Sequence, residues 1–204
     1  MAYFEKRLQI SLAIVLIAAI LLFAAGCERK PLCDAVFYGD SITEGGNFDE
    51  LFPELKIVNC GIGGATIEYL TEHVENVSAN RPAKIFVMAG ANNLDYRNID
   101  TCVELYRGLL DALLKACPYA EIYVESMLPL DKQLAYHWEC TNPTIRSFNQ
   151  RIAALAEEYG LTYIDIYPAY ELAGGLDPQY SEDGAHLKSD AFGPWAELVR
   201  PYLE

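Results

Sequence analysis

From Cys33 to the C-terminus, five short runs rich in Val, Ile, Phe or Tyr alternate with longer stretches whose apolar residues recur every three or four positions. Alternation of this kind is what a parallel sheet requires, because strands running the same way must be joined by crossovers long enough to hold a helix. The strands predicted are residues 35–38, 56–59, 84–89, 121–125 and 162–166. Right-handed crossovers then put helices on both faces of the sheet. The expected fold class is α/β, a flavodoxin-like three-layer α/β/α sandwich with a five-stranded parallel sheet. Ligands bind such sheets at the carboxyl ends of the strands, so the residues that follow each strand carry the information about function.

The helices are legible from caps and faces. Thr101-Cys102-Val103-Glu104 has the form of a capping box, followed by Leu105, Leu109, Ala112, Leu113 and Ala116 on one face. A second helix starts near Pro143, carries Ile145, Phe148, Ile152, Leu155, Ala156 and Tyr159 on one side, and stops at Gly160. A last helix over about 190–203 carries Phe192, Trp195, Leu198 and Val199.

The first residues follow another logic. Lys6 and Arg7 precede an uncharged, mostly apolar run over 8–25, and Ala24-Ala25-Gly26-Cys27 resembles a bacterial lipobox with Cys27 as the lipidated residue. Residues 1–26 are therefore expected to be a lipoprotein-type signal peptide or a retained membrane anchor, 27–34 a tether, and 35–204 the functional domain. In either case a membrane is a partner, and the expected location is the bacterial cell envelope. The formal net charge of −14 repels polyanions, so nucleic acid is excluded as a partner and a neutral or zwitterionic substrate is favoured.

The remaining cysteines are Cys33, Cys60, Cys102, Cys117 and Cys140, with no Cys-x-x-Cys pair. A zinc site of the usual spacing has no support, and no metal is expected. Cys102 and Cys117 fall near opposite ends of one predicted helix, about 22 Å apart at ~1.5 Å per residue, too far to pair with each other. Buried free thiols are the expectation.

Four segments carry chemistry. Gly39-Asp40-Ser41-Ile42 follows the first strand, which makes Ser41 either a nucleophile at a strand-to-helix turn or the cap of that helix. Asn59-Cys60-Gly61-Ile62-Gly63-Gly64 follows the second strand and half-matches a dinucleotide fingerprint. Thr66 replaces the third glycine and the strand is the wrong one, so phosphate cradling is poorly supported. Gly90-Ala91-Asn92-Asn93 follows the third strand and places a side-chain amide there, suited either to an oxyanion hole or to a plain asparagine turn. Asp183-Gly184-Ala185-His186 precedes the last helix, and a carboxylate three residues before an imidazole can reach its Nδ1–H and leave Nε2 free to take a proton from a serine. The other histidines, His73 in a predicted helix and His137 in a long loop, lack such a neighbour.

Taken together these segments resemble the SGNH hydrolases, also called GDSL-like lipases and acylhydrolases. Gly39-Asp40-Ser41 matches that family's block I, Asn59-x-Gly61-x-x-Gly64 its block II, Gly90-x-Asn92 its block III and Asp183-x-x-His186 its block V, in family order. The resemblance implies a serine esterase that works through an acyl-enzyme and needs no cofactor. It implies Ser41 as nucleophile, His186 as base and then acid, and Asp183 as the partner that orients it. It also implies an oxyanion hole made of the Ser41 and Gly64 N–H groups and the Asn92 side chain. Block I here has Ile42 where leucine is usual, and block III has Asn93 where many members have Asp. No Gly-x-Ser-x-Gly elbow is present. Specificity is expected from the loop over 127–142, whose Tyr136, His137 and Trp138 suit a sugar ring, an acyl pocket or simple packing of the loop. The expected substrate is an ester of a small acyl group, acetyl foremost, on a glycan or lipid-derived molecule. Two other functions fit the composition: a catalytically silent, membrane-tethered binding module on the same fold, and a nucleotide-binding flavodoxin-like protein.

Overall fold

A computed structural model describes residues 30–204; the expected signal or anchor over 1–26 and Cys27 lie outside the described residues. Strands β1 (Cys33–Gly39), β2 (Ile57–Gly61), β3 (Pro82–Met88), β4 (Glu121–Glu125) and β5 (Thr162–Ile164) form one parallel sheet in the order β2-β1-β3-β4-β5. That is the flavodoxin-like order, in which the direction of winding reverses between β1 and β3 and opens a crevice at their carboxyl ends. The helices are α1 (Ser41–Glu44), α2 (Phe48–Leu51), α3 (Ile67–Glu72), α4 (Glu75–Ser78), α5 (Ala91–Leu94), α6 (Ile99–Ala116), α7 (Asn142–Glu158) and α8 (Gly193–Val199).

Side chains alternate across the sheet and divide its core in two. Val36, Tyr38, Ile85, Val87, Ile122 and Val124 face one layer, where Leu109 and Leu113 of α6 and Ile145, Phe148 and Ile152 of α7 cover them. Ala35, Phe37, Phe86, Met88, Tyr123 and Ile164 face the other, covered by Phe48 and Phe52 and by Trp195 and Val199 of α8. The second layer is held largely by rings. Phe37 stacks on Phe48 with centroids 3.7 Å apart and on Phe86 at 4.9 Å, and Trp195 meets Phe48 edge-on at 5.2 Å. Each such pair adds roughly 0.5–1.5 kcal/mol beyond area burial, and truncating one ring to alanine costs about 3–5 kcal/mol.

One carboxyl is sealed in that layer. Glu125, at the end of β4, accepts the Trp195 indole N–H at 2.6 Å, while its other oxygen is buried without a hydrogen-bond partner. Burial pushes its pKa up to about 8, against the opposing pull of the indole.

Several boundaries differ from expectation for local reasons. α6 begins at Ile99, before the Thr101 box, because the Asn98 side chain accepts the Thr101 N–H at 2.9 Å and caps the helix one turn earlier. β5 stops at Ile164 rather than Ile166, because the Ser126 hydroxyl takes the Ile166 and Tyr167 N–H groups at 2.9 and 2.8 Å and starts a 3-10 turn over Tyr167–Ala169. The last helix is shorter than 190–203. α8 ends at Val199 and passes into a 3-10 turn over Arg200–Tyr202, since Pro201 has no N–H with which to continue an α-helix. Leu198 of that helix is exposed rather than packed. A hairpin of β6 (Glu171–Leu172) and β7 (Gly175–Leu176) was not anticipated; its turn puts Ala173 at φ 51° and Gly174 at φ 89°. The five described cysteines are free thiols.

Candidate active site

Three strands deliver the site, and the glycines at their ends explain how closely its parts approach. β1 ends at Gly39, where a Cβ would lie 2.3 Å from the Met88 carbonyl oxygen, and the chain turns directly into α1. The cap of α1 is Asp40: its Oδ1 accepts the Ile42 N–H at 3.0 Å. Capping is thus taken by Asp40, and Ser41 is left as the first helical residue with its hydroxyl free to point elsewhere. It points to His186, with Ser41 Oγ and His186 Nε2 2.9 Å apart across 145 residues of sequence.

The His186 ring is held from behind. Its Nδ1 lies 2.7 Å from Asp183 Oδ2, while Asp183 Oδ1 accepts the Ala185 and His186 backbone N–H groups at 2.9 and 2.8 Å and the Ser181 hydroxyl at 3.2 Å. Partial burial works to raise the Asp183 pKa, but the His186 ring and these two amides outweigh it and hold the carboxyl well below the usual carboxylate range. Gly184 makes the turn possible: its φ is 82°, and a Cβ there would sit 2.6 Å from the Asp131 carbonyl oxygen. Asp40, 1 % exposed beneath Ser41, is pushed up to about 6 by burial, against the Ile42 N–H and the nearby His186.

The second and third strand ends meet at the same place. Asn59 ties β2 to α1, donating to the Thr43 and Gly46 carbonyls at 2.7 and 2.9 Å. A Cβ on Gly61 would fall 2.1 Å from the Glu44 nitrogen, so this glycine admits the backbone of α1, which accounts for it without any phosphate. Gly64 has φ 72° and open space above it. Asn92 donates one amide hydrogen to the Ala65 carbonyl at 3.0 Å, which fixes the side chain beside that loop and leaves its second N–H for another acceptor. Beside it Asn93 is fully buried. It accepts the Ile67 N–H at 2.8 Å and donates to Glu68 at 2.6 Å, so an aspartate in its place would set a second carboxylate against Glu68.

Ser41 borders a pocket lined by Ile42, Ala91, Met127, Leu128, Pro129, Leu130, Trp138, Cys140, Ile145, Ala185 and His186, almost wholly apolar, with a cavity volume of about 10 Å³. Of the other histidines, His73 stacks on Tyr69 and bonds its carbonyl at 2.8 Å at the end of α3, and His137 lies between Tyr136 and Trp138. Sequence reasoning missed Asp40 as the cap, Ser181 as a support of Asp183, and the buried Asn142 and Asn149 of α7. The polar pair, seven residues apart on an otherwise apolar helix face, was the available signal.

The description of the GDSL-like lipase/acylhydrolase family matches this chain over residues 37–191, a span that opens inside β1 and includes Ser41, Asn92, Asp183 and His186. The chain belongs to this family. Membership places it among the carboxylic ester hydrolases. Solved structures with the same fold as this GDSL-like chain include one from Streptococcus pneumonia named for platelet activating factor, with TM-score 0.76 and 24% identity over 95% of this chain and 99% of that one. A GDSL-like lipase from Bacteroides thetaiotaomicron superposes with TM-score 0.70 and 25% identity, covering 83% of this chain and 87% of the other. In sequence the chain is 31% identical to the uncharacterized lipoprotein YqeF of Bacillus subtilis over 96 residues, a match that spans 39% of this chain and only 40% of that protein.

Proposed function

We propose that this chain is a serine esterase that removes small acyl groups, acetyl foremost, through an acyl-enzyme. The observation that carries the proposal is the unbroken line of hydrogen bonds from Ser41 through His186 to Asp183, at 2.9 and 2.7 Å. Ser41 Oγ forms a bond to the ester carbonyl carbon while His186 Nε2 takes its proton. The imidazolium then gives that proton to the leaving alcohol as the C–O bond breaks. Water, deprotonated by His186, attacks the acyl-enzyme and releases the acid and free Ser41. The Ser41 N–H, the Gly64 N–H and the free Asn92 N–H are the donors for the oxyanion, each such donor contributing about 10²–10³-fold to turnover.

The choice of acyl group rests on the pocket beside Ser41. Its cavity volume is small, about 10 Å³, which favours a short acyl group such as acetyl over a long chain. Tyr136, exposed and two residues from the pocket-lining Trp138, offers a broad aromatic face of the kind that fits a sugar ring in the alcohol portion. Anchoring through Cys27 to the membrane of a cell envelope is supported by the Gly26-Cys27 motif and by the name of the partial relative, a lipoprotein.

The test is hydrolysis of p-nitrophenyl esters, acetate to palmitate, by the purified chain beside Ser41→Ala, together with labelling by a serine-reactive phosphonate. Acetate turnover that falls at least about 1000-fold in Ser41→Ala, with label on Ser41 alone, is the expected result. A folded protein that neither turns over any ester nor takes the label is a binding module instead.

A further inference from the structure

Two asparagines on one face of α7 play no part in the reaction just described. Both are nonetheless buried, and each pairs its amide oxygen and nitrogen with the N–H and carbonyl of one residue in the loop after β4. Asn149 accepts the Met127 N–H at 3.0 Å and donates to the Met127 carbonyl at 3.0 Å. Asn142 accepts the Leu130 N–H at 2.8 Å and donates to the Leu130 carbonyl at 2.7 Å, and it also donates to the Gly174 carbonyl at 2.9 Å. Each side chain thus serves one residue as a neighbouring strand would, on a segment that follows the last residue of β4.

That segment is a wall of the pocket beside Ser41. Met127 and Leu130, the two residues clamped, both line it, and so does Ile145, which lies between the two asparagines on α7. The far end of the wall is fixed to the acid-base turn, because the Asp131 N–H donates to the Gly184 carbonyl at 2.8 Å. The wall can therefore not shift along α7 or away from it without breaking paired, buried hydrogen bonds, and a buried polar group left without its partner is strongly unfavourable.

We infer that Asn142 and Asn149 are positioning residues for substrate selection: by clamping the backbone at Leu130 and Met127 they fix the width of the acyl pocket and hence the chain length that is accepted. The inference rests on the esterase reading above. It differs from a stability role in what it predicts, since the ratio of kcat/KM for two esters does not depend on how much of the enzyme is folded.

The experiment measures kcat/KM for p-nitrophenyl butyrate and acetate with the full chain in detergent, for wild type, Asn149→Ala, Asn142→Ala and Asn149→Asp, each with phosphonate labelling of Ser41. Both alanine variants are expected to raise the butyrate-to-acetate ratio about tenfold, the scale on which a hydrophobic pocket discriminates a methylene. Asn149→Asp carries the test should the alanine variants fail to fold. Its protonated carboxyl still donates to the Met127 carbonyl and its ionised form cannot, so its ratio is expected to be near wild type at low pH and to rise as pH rises, while the wild-type ratio stays flat. Wild-type turnover and labelling, with an unchanged ratio in every folded variant, overturns the clamp and leaves the esterase standing. Neither turnover nor labelling in the wild type overturns the esterase and the clamp with it.

Discussion

Asp40 and Ser41 stand side by side at the end of β1, and the hydrogen bonds separate their roles: the aspartate holds the helix and the serine reaches His186. The second carboxylate, Asp183, is held in its charged form by the imidazole and two backbone amides. It therefore remains ionised through neutral pH and well into acid, where it accepts from Nδ1–H and leaves Nε2 for the base role proposed above. Asp183→Asn keeps the shape and removes the charge, and its amide can present a hydrogen to Nδ1 and favour the wrong tautomer. Steady-state kinetics on p-nitrophenyl acetate are expected to show kcat lower by about 10³–10⁴-fold, with KM nearly unchanged. At this scale the sequence was informative for the Asp183–His186 pair, whose contact could be read from a spacing of three, but not for Asp40 and Ser181, whose equally local bonds went unread. It was ambiguous for Ser41, because choosing between cap and nucleophile required knowing that Asp40 fills the cap. For Asn142 and Asn149 it offered only a polar pair on an apolar helix face and not their partners, which lie in a loop with no pattern of its own.

The elements show the same division between local and distant causes. All five strands were legible because buried parallel strands are short apolar runs. Their ends were less so, since Ser126 terminates β5 from 40 residues away. The β6-β7 hairpin escaped notice because its turn reads Ala173-Gly174, without the Asn-Gly or Asp-Gly that marks two left-handed residues in succession. Alanine at φ 51° bears about 1–2 kcal/mol of strain that glycine or asparagine bears far less. Ala173→Asn is accordingly expected to raise the melting temperature, by about 2–4 °C per kcal/mol recovered in a domain of this size. Differential scanning calorimetry decides it, and a lowered melting temperature would count against the strain.

For the molecule as a whole, Glu125 sets a pH dependence. Its folded pKa of about 8 lies above its ordinary 4.5, so between these values the folded state holds a proton that the unfolded chain has released. Stability is greatest below the lower value and declines as pH rises through the upper one, by an amount on the order of a few kcal/mol. Glu125→Gln keeps an acceptor for the Trp195 indole and cannot ionise. Thermal melts from pH 5 to 8.5 are expected to fall with pH more steeply for wild type than for the variant, whatever the variant's absolute stability; parallel curves would remove Glu125 as the cause.

The Asp183–His186 pair is built within a single turn, whereas Ser41, which meets the imidazole, lies 145 residues earlier in the chain. An unfolded polypeptide can sample the aspartate-histidine contact at little entropic cost, but it can bring the hydroxyl to the imidazole only after β1 has entered the sheet and the C-terminal region has docked on it. Under the mechanism proposed above, catalysis is thus a gauge of chain closure: during refolding, recovered ester turnover marks the moment at which the beginning and the end of the domain meet.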